Sequence, residues 1–117
     1  MIEGRGRLRG LDPNVREAAE WTLMVADYYG IPVTVTSGYR SWRKQQELYT
    51  RYRSGQSRFP ANPPGNSSHE YGLSFDSVVA DDLIPWWTRV REYAGFRVPS
   101  SDWIHAEVPN WRQYVGR

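Results

Sequence analysis

The chain has 117 residues, a formal net charge of +2 and no cysteine. That length suits one domain with a single core, and the lack of cysteine removes disulfides, thiolate metal sites and a thiol nucleophile. No apolar run approaches the roughly 20 residues that span a bilayer, and the N-terminus lacks the apolar stretch of a secretory signal, so no transmembrane segment is expected.

Hydrophobic residues make up 39% of the chain and aromatics 15%, with six Trp and eight Tyr, which predicts an aromatic-rich core with some rings left in a cleft. The basic residues are fourteen Arg against Lys44 alone, with Arg5, Arg7 and Arg9 crowded at the start. Such a bias attracts polyanions mildly, and an ordinary solvated surface carries it equally well. No nucleic-acid motif accompanies it, so no dedicated nucleic-acid binding is expected. Residues 2–5 read Ile-Glu-Gly-Arg, a sequence used in protease-cleavage tags. Residues 1–11 are therefore set apart as an N-terminal segment, and residues 12–117 are taken as the domain.

In chain order, Asp12 before Pro13 predicts a helix start, an N-cap acceptor ahead of a residue suited to the first helical position. Val15, Ala18, Ala19, Thr22, Val25, Ala26 and Tyr29 fall near one face, and Gly30 closes the helix. Residues 32–36 alternate with β-branched side chains and read as a strand. It ends at Ser37-Gly38, a turn that aims Tyr39 and Arg40 into a cleft.

Helical spacing of Trp42, Gln45, Leu48, Tyr49 and Tyr52 predicts a helix over 41–52 with most of those side chains in the core. Residues 54–68, rich in Gly, Ser, Asn and Pro, form a long loop of the kind that is usually functional or mobile. Residues 73–79 suit a strand with Leu73 and Phe75 toward the core and Asp76 facing the other way. Pro85 opens a helix through Tyr93, Gly95 ends it, 96–98 is a short strand, and 103–108 is the last strand with Trp103, His105 and Glu107 on one face. Helices mixed with short strands that need not be parallel predict an α+β fold, a small antiparallel sheet with packed helices in a single domain.

The only histidines, His69 and His105, each sit in an acid-bearing string: Ser67-Ser68-His69-Glu70-Tyr71-Gly72-Leu73-Ser74-Phe75-Asp76 and Asp102-Trp103-Ile104-His105-Ala106-Glu107. A lone histidine near a carboxylate is more often structural than a ligand. Two histidines and one aspartate, however, can hold three positions of a tetrahedral zinc and leave the fourth for water. His69 and Asp76 are an odd offset apart, so both can reach one metal only if Gly72 makes a turn or bulge. Asp102, three residues before His105, supplies a proton acceptor reaching in from the preceding turn.

These strings resemble the paired signature of the zinc D-alanyl-D-alanine carboxypeptidase and L-alanyl-D-glutamate endopeptidase family, whose fold is shared with the hedgehog signalling domain and whose small members include phage endolysins. A third block, Thr36-Ser37-Gly38-Tyr39-Arg40-Ser41 followed by Gln45, Leu48 and Tyr49, is similar to the segment preceding the zinc site in that family. The resemblance covers roughly residues 13 to 109.

It implies zinc held by His69, Asp76 and His105, with Asp102 as the general acid and base. It also places Arg40 by the substrate, where a guanidinium can bind a carboxylate or an oxyanion; a structural salt bridge is the ordinary alternative. Ser67 and Gln45 match family positions as substrate-binding residues, Gln45 being equally able to anchor the Arg40 loop. Glu107 either orients an imidazole or forms an exposed ion pair. Ser74 stands where the family more often has alanine, and Ile104 where it often has tryptophan or proline, which leaves fine specificity open.

The implied activity is a monomeric peptidoglycan peptidase cutting stem peptides, an L-alanyl-D-glutamate endopeptidase ahead of a D-alanyl-D-alanine carboxypeptidase. As a phage lysin it would wait in the host cytoplasm until released to the wall. An inert, zinc-stabilised binding module on the same fold is the alternative of another class, and Asp102 speaks against it.

Overall fold

The structure, a computed structural model, describes residues 1–115. Asp12 caps helix α1 (Pro13–Tyr28) by accepting hydrogen bonds from the backbone N–H of Asn14 and Val15 at 3.1 and 3.4 Å. Its buried face is Val15, Ala19, Thr22, Leu23 and Ala26. Tyr29, assigned to that face by its spacing, lies beyond the last turn and is exposed, and Leu23 fills the face instead.

A four-stranded sheet runs in the order β1 (Ile2–Glu3), β2 (Val33–Ser37), β3 (Ser74–Val78), β4 (His105–Glu107). β2, β3 and β4 pair antiparallel as expected, while β1 joins β2 in parallel and makes the sheet mixed. β1 comes from the segment set apart in sequence. That segment also buries Leu8 and Leu11 in the core, because covering two leucines is worth about 1.5–3 kcal/mol each. The expected strand over 96–98 is reduced to a single bridge, Arg97 to Glu107.

Phe75 and Ser77 of β3, with their cross-strand partners Ala106 and Val35, face α1 and α3 (Ile84–Tyr93). The buried Ser77 hydroxyl is satisfied by the Trp87 indole N–H at 2.9 Å. The opposite face carries Asp76 and His105. Helix α2 (Trp42–Arg53), capped by the Ser41 side chain, stands apart from this core. Of its residues only Gln45 is buried, and Trp42 is 63% exposed, contrary to the expected core packing. Its i, i+3, i+6 stripe of Gln45, Leu48 and Arg51 lines a cleft instead.

Gly38, just after β2, packs so closely on the N-terminal segment that a Cβ would collide with the Arg7 carbonyl oxygen. Gly30 adopts φ +70° with open space around it. Gly38→Ala should therefore cost more than about 2 kcal/mol through overpacking, and Gly30→Ala only the left-handed penalty of about 1 kcal/mol. Urea melts of the two variants check this, and equal costs would refute the close packing of the N-terminal segment on the Gly38 turn.

Candidate metal centre

Strand register assembles the first half of the site. Asp76 of β3 lies opposite His105 of β4 on one side and Ser37 of β2 on the other, with a bulge between Val35 and Ser37 absorbing the extra residue. His69 arrives from a 3-10 turn, Ser68–Tyr71, that folds back over the same face. Gly72 ends that turn at φ +71°, the reversal that the odd offset between His69 and Asp76 requires. Its carbonyl accepts the Asp12 N–H at 3.0 Å, tying the turn to the start of α1.

His69 Nε2 and His105 Nδ1 stand 3.2 and 3.0 Å from the same oxygen, Asp76 Oδ1. The other nitrogen of each ring is already engaged. His69 Nδ1 is 2.8 Å from the Gly38 carbonyl, which can only accept, so this nitrogen carries the proton. His105 Nε2 is 2.9 Å from Glu107 Oε1, and once a metal takes Nδ1 it is the nitrogen that keeps the proton and donates to that oxygen. Two neutral imidazoles so oriented turn their lone pairs toward a carboxylate, three acceptors facing one point.

Only a cation relieves that arrangement. Ligand atoms about 2.0–2.1 Å from a tetrahedral zinc stand roughly 3.3–3.4 Å apart, close to the separations from Asp76, and all three atoms lie within 4.8 Å of one another. The donor set therefore fits zinc; the Gly38 carbonyl fixes the His69 tautomer that ligation needs, and Glu107 can accept from the His105 nitrogen that faces away from the metal. Glu107 meets His105 through one oxygen and Arg97 through the other, at 2.8 Å, although its side chain is only 13% exposed and the ion pair is open to solvent at the arginine alone.

A proton on His105 acts as the cation when metal is withheld. Burial alone would raise the Asp76 carboxyl, but hydrogen bonds from His105 and His69 outweigh it and hold the group well below the usual carboxylate range. For His105, burial favours the neutral ring, yet the bonds to Asp76 and Glu107 win and raise its pKa.

The remaining sequence-predicted residues share one cleft of about 840 Å³ with this cluster. Arg40, whose backbone N–H donates to the His69 carbonyl, gives hydrogen bonds from Nη1 to Gln45 Oε1 at 2.9 Å and from Nη2 to Ser37 Oγ at 3.0 Å. No salt bridge to Arg40 occurs among the described residues. Burial pushes its pKa down, opposed by Asp76 and Glu70. Gln45, 1% exposed, also donates to the Asn62 carbonyl at 2.7 Å, so it joins the Arg40 turn to the long loop. Ser67 is buried and its hydroxyl accepts the His69 N–H at 3.3 Å. Asp102 is an exposed lining residue, and its carbonyl accepts the His105 N–H.

Sequence reasoning missed Arg91, which is fully buried. It donates to the Trp87 and Ile104 carbonyls at 3.3 and 3.2 Å, and the latter bond fixes the turn between Asp102 and His105. Desolvation pushes its pKa down to about 10 against the pull of Asp76, Glu92 and Asp102. The signal was present: Arg91 falls four residues after Trp87, on the apolar stripe of α3.

A family model described as D-alanyl-D-alanine carboxypeptidase (VanY) matches residues 9–110 of this chain. The chain is 34% identical over 97 residues to the peptidoglycan L-alanyl-D-glutamate endopeptidase CwlK of Bacillus subtilis (strain 168), covering 80% of this chain and 56% of that protein. Two solved structures share its fold. The Serratia marcescens L-Ala D-Glu endopeptidase ChiX is 22% identical with a TM-score of 0.63, covering 97% of this chain and 93% of that one. The vancomycin-resistance D,D-pentapeptidase VanY, solved with Zn(II), is 20% identical with a TM-score of 0.65, covering 84% and 72%.

Zinc added to metal-free protein should release protons, and its affinity should fall as the pH drops, because a proton on His105 Nδ1 competes with the metal. Calorimetric titration in buffers of different ionisation heat reads both effects; a pH-independent affinity would exclude Nδ1 as a ligand. In the metal-free protein, the raised His105 pKa contributes stability that is complete below the ordinary value of 6.5 and lost as the pH rises through the raised folded value. Zinc-loaded protein should instead gain stability across that window, as thermal melts would show.

Proposed function

The chain belongs to the D-alanyl-D-alanine carboxypeptidase (VanY) family, and from that premise we propose that it is a zinc-dependent peptidoglycan peptidase, an L-alanyl-D-glutamate endopeptidase acting on stem peptides. One observation carries the reading: two lone pairs and a carboxylate converge on a point in a cleft that also holds Asp102 and Arg40. The choice of bond rests on the likeness to CwlK, and the VanY description supports D-alanyl-D-alanine carboxypeptidase as the second reading. A role as a phage lysin rests only on the resemblance to small endolysins.

His69, Asp76 and His105 hold the zinc. When bound, it lowers the pKa of a water to about 7 and polarises the scissile carbonyl. Asp102 takes a proton from the attacking water as its oxygen bonds to the carbonyl carbon, then delivers that proton to the amine as the C–N bond breaks. Arg40 is oriented by Gln45 and Ser37, and its remaining N–H donors bind a substrate carboxylate or the oxygen on which charge develops. Ser67 lines the cleft beside His69 as a substrate contact, and Gln45 acts through Arg40. The inert binding module has no use for an exposed acid beside the ligands.

Digestion of purified peptidoglycan, with new termini identified by mass spectrometry, should yield an alanine carboxyl end and a glutamate amino end. Release of free D-alanine would favour the carboxypeptidase, and no cleavage of any muropeptide by zinc-loaded protein would favour the module.

Asp102→Ala should keep its zinc and lose at least about a hundredfold in turnover, since proton transfer goes while the ligands remain. Metal analysis and kinetics on one preparation check this, and undiminished turnover removes Asp102 from the mechanism. Arg40→Lys keeps the charge but not the fork, and should lower kcat/KM by roughly 2–4 kcal/mol with zinc content and melting temperature little changed. A destabilised but fully active variant would retire the catalytic role.

A further inference from the structure

Four arginines line the cleft, Arg40, Arg51, Arg97 and Arg112, against three acids, Asp76, Asp102 and Glu107. Most of this charge is spoken for. Arg40 is held by Gln45 and Ser37, Arg97 by Glu107, and Asp76 by the imidazoles. Among the described residues, none accepts a hydrogen bond from the guanidinium of Arg51 or of Arg112.

These two differ in how they are held. Arg112 lies over the Trp111 indole with its guanidinium carbon 4.4 Å from the ring centroid, the shortest such distance among the described cation–π pairs. No ring lies under Arg51 among the described residues. The Trp111 platform is itself fixed. It is 6% exposed and packs against Tyr71 at 5.8 Å, whose hydroxyl donates to the Gly65 carbonyl in the loop leading to His69. A guanidinium held over an indole loses less side-chain freedom when a ligand takes its N–H donors than one free in solvent. Beside it, a hollow of about 300 Å³ shares Arg97, Glu107, Trp111 and Arg112 with the cleft and extends past Asn110 and Gln113.

We propose that Arg112, stacked on Trp111, is a carboxylate-binding subsite that recognises the free carboxylate of a stem-peptide residue beside the cut bond. The ligand class follows from the chemistry: a planar fork with free donors matches a carboxylate in a bidentate pair, and Glu107 does not compete, because His105 and Arg97 already occupy it. This rests on the peptidase reading. A glutamyl residue suits the subsite, because whichever of its two carboxyl groups continues the chain, the other stays free. Amidation of that group removes the charge the arginine reads.

The test uses two stem peptides that differ only in having this group as carboxylate or carboxamide. kcat/KM is measured with zinc-loaded protein, and binding with metal-free protein by calorimetry. Wild type should favour the carboxylate by at least about tenfold in both. Arg112→Gln should lose the preference by weakening the carboxylate peptide alone, and Arg112→Lys should not restore it. Equal handling of the two peptides by wild type, a preference that survives Arg112→Gln, or full retention by Arg112→Lys would each overturn the subsite. A wild type that cleaves neither peptide, yet binds the carboxylate form in an Arg112-dependent way, would sink the peptidase reading and leave the subsite standing.

Discussion

The structure turns on Asp76 Oδ1, a carboxylate oxygen of β3 that lies within 3.2 Å of an imidazole nitrogen of each histidine. Each imidazole is locked from behind, one by a backbone carbonyl and one by Glu107. For His69 the carbonyl decides which nitrogen is bare, and a bare nitrogen beside a carboxylate is tolerable only with a cation between them. Desolvation sharpens the demand, since His69 is 4% exposed and repulsion is poorly screened there. The need for a cation is thus built into the bonds behind the rings as much as into the ligands.

The surrounding structure reads as support for that geometry. Gly38 must be glycine to let its strand end against Arg7, and its carbonyl is the group that orients His69. Ser37, two positions beyond the bulged pair at Val35, is level with Asp76 and holds Arg40. Arg91 is the costlier support. Its guanidinium is buried with Nη2 lacking a hydrogen-bond partner among the described residues, and burying such a charge costs several kcal/mol unless its surroundings compensate. In return it clamps the Ile104 carbonyl, which also accepts the Ser77 N–H, so that the turn bearing Asp102 is fixed to both α3 and β3.

The cleft walls are built differently from its floor. The floor is sheet, with register fixed by alternating burial. One wall is α2, a helix whose buried contact is one amide side chain reaching both Arg40 and Asn62. Gln45 therefore joins the arginine turn and the long loop into one wall. The opposite rim is an indole with an arginine laid over it. No helix is long and apolar enough to cross a membrane among the described residues.

Much of this was legible in the sequence. The Asp12-Pro13 start, the β-branched run after Gly30 and the helix opening near Pro85 depend on local backbone chemistry, and each formed within a residue or two of its expected place. The grouping of His69, Asp76 and His105 as a candidate metal site, and the need for a turn at Gly72, were also readable, because ligand chemistry and strand parity are properties of residue type and spacing. Other features were not local. The same helical spacing describes a stripe on a core and a stripe on a cleft, so spacing alone did not tell that α2 turns its stripe to a cleft. The first eleven residues looked separable, yet Leu8 is fully buried because the space between β2 and α1 is open to it. Which nitrogen of each histidine is bare, which acid Arg97 meets and what lies under Arg112 are set by groups that the chain brings together only when folded. Residue type, spacing and resemblance pointed to the candidate ligands; tertiary structure alone decided what stands behind each ring and what surrounds it, because a hydrogen bond depends on distance in space and not on separation along the chain.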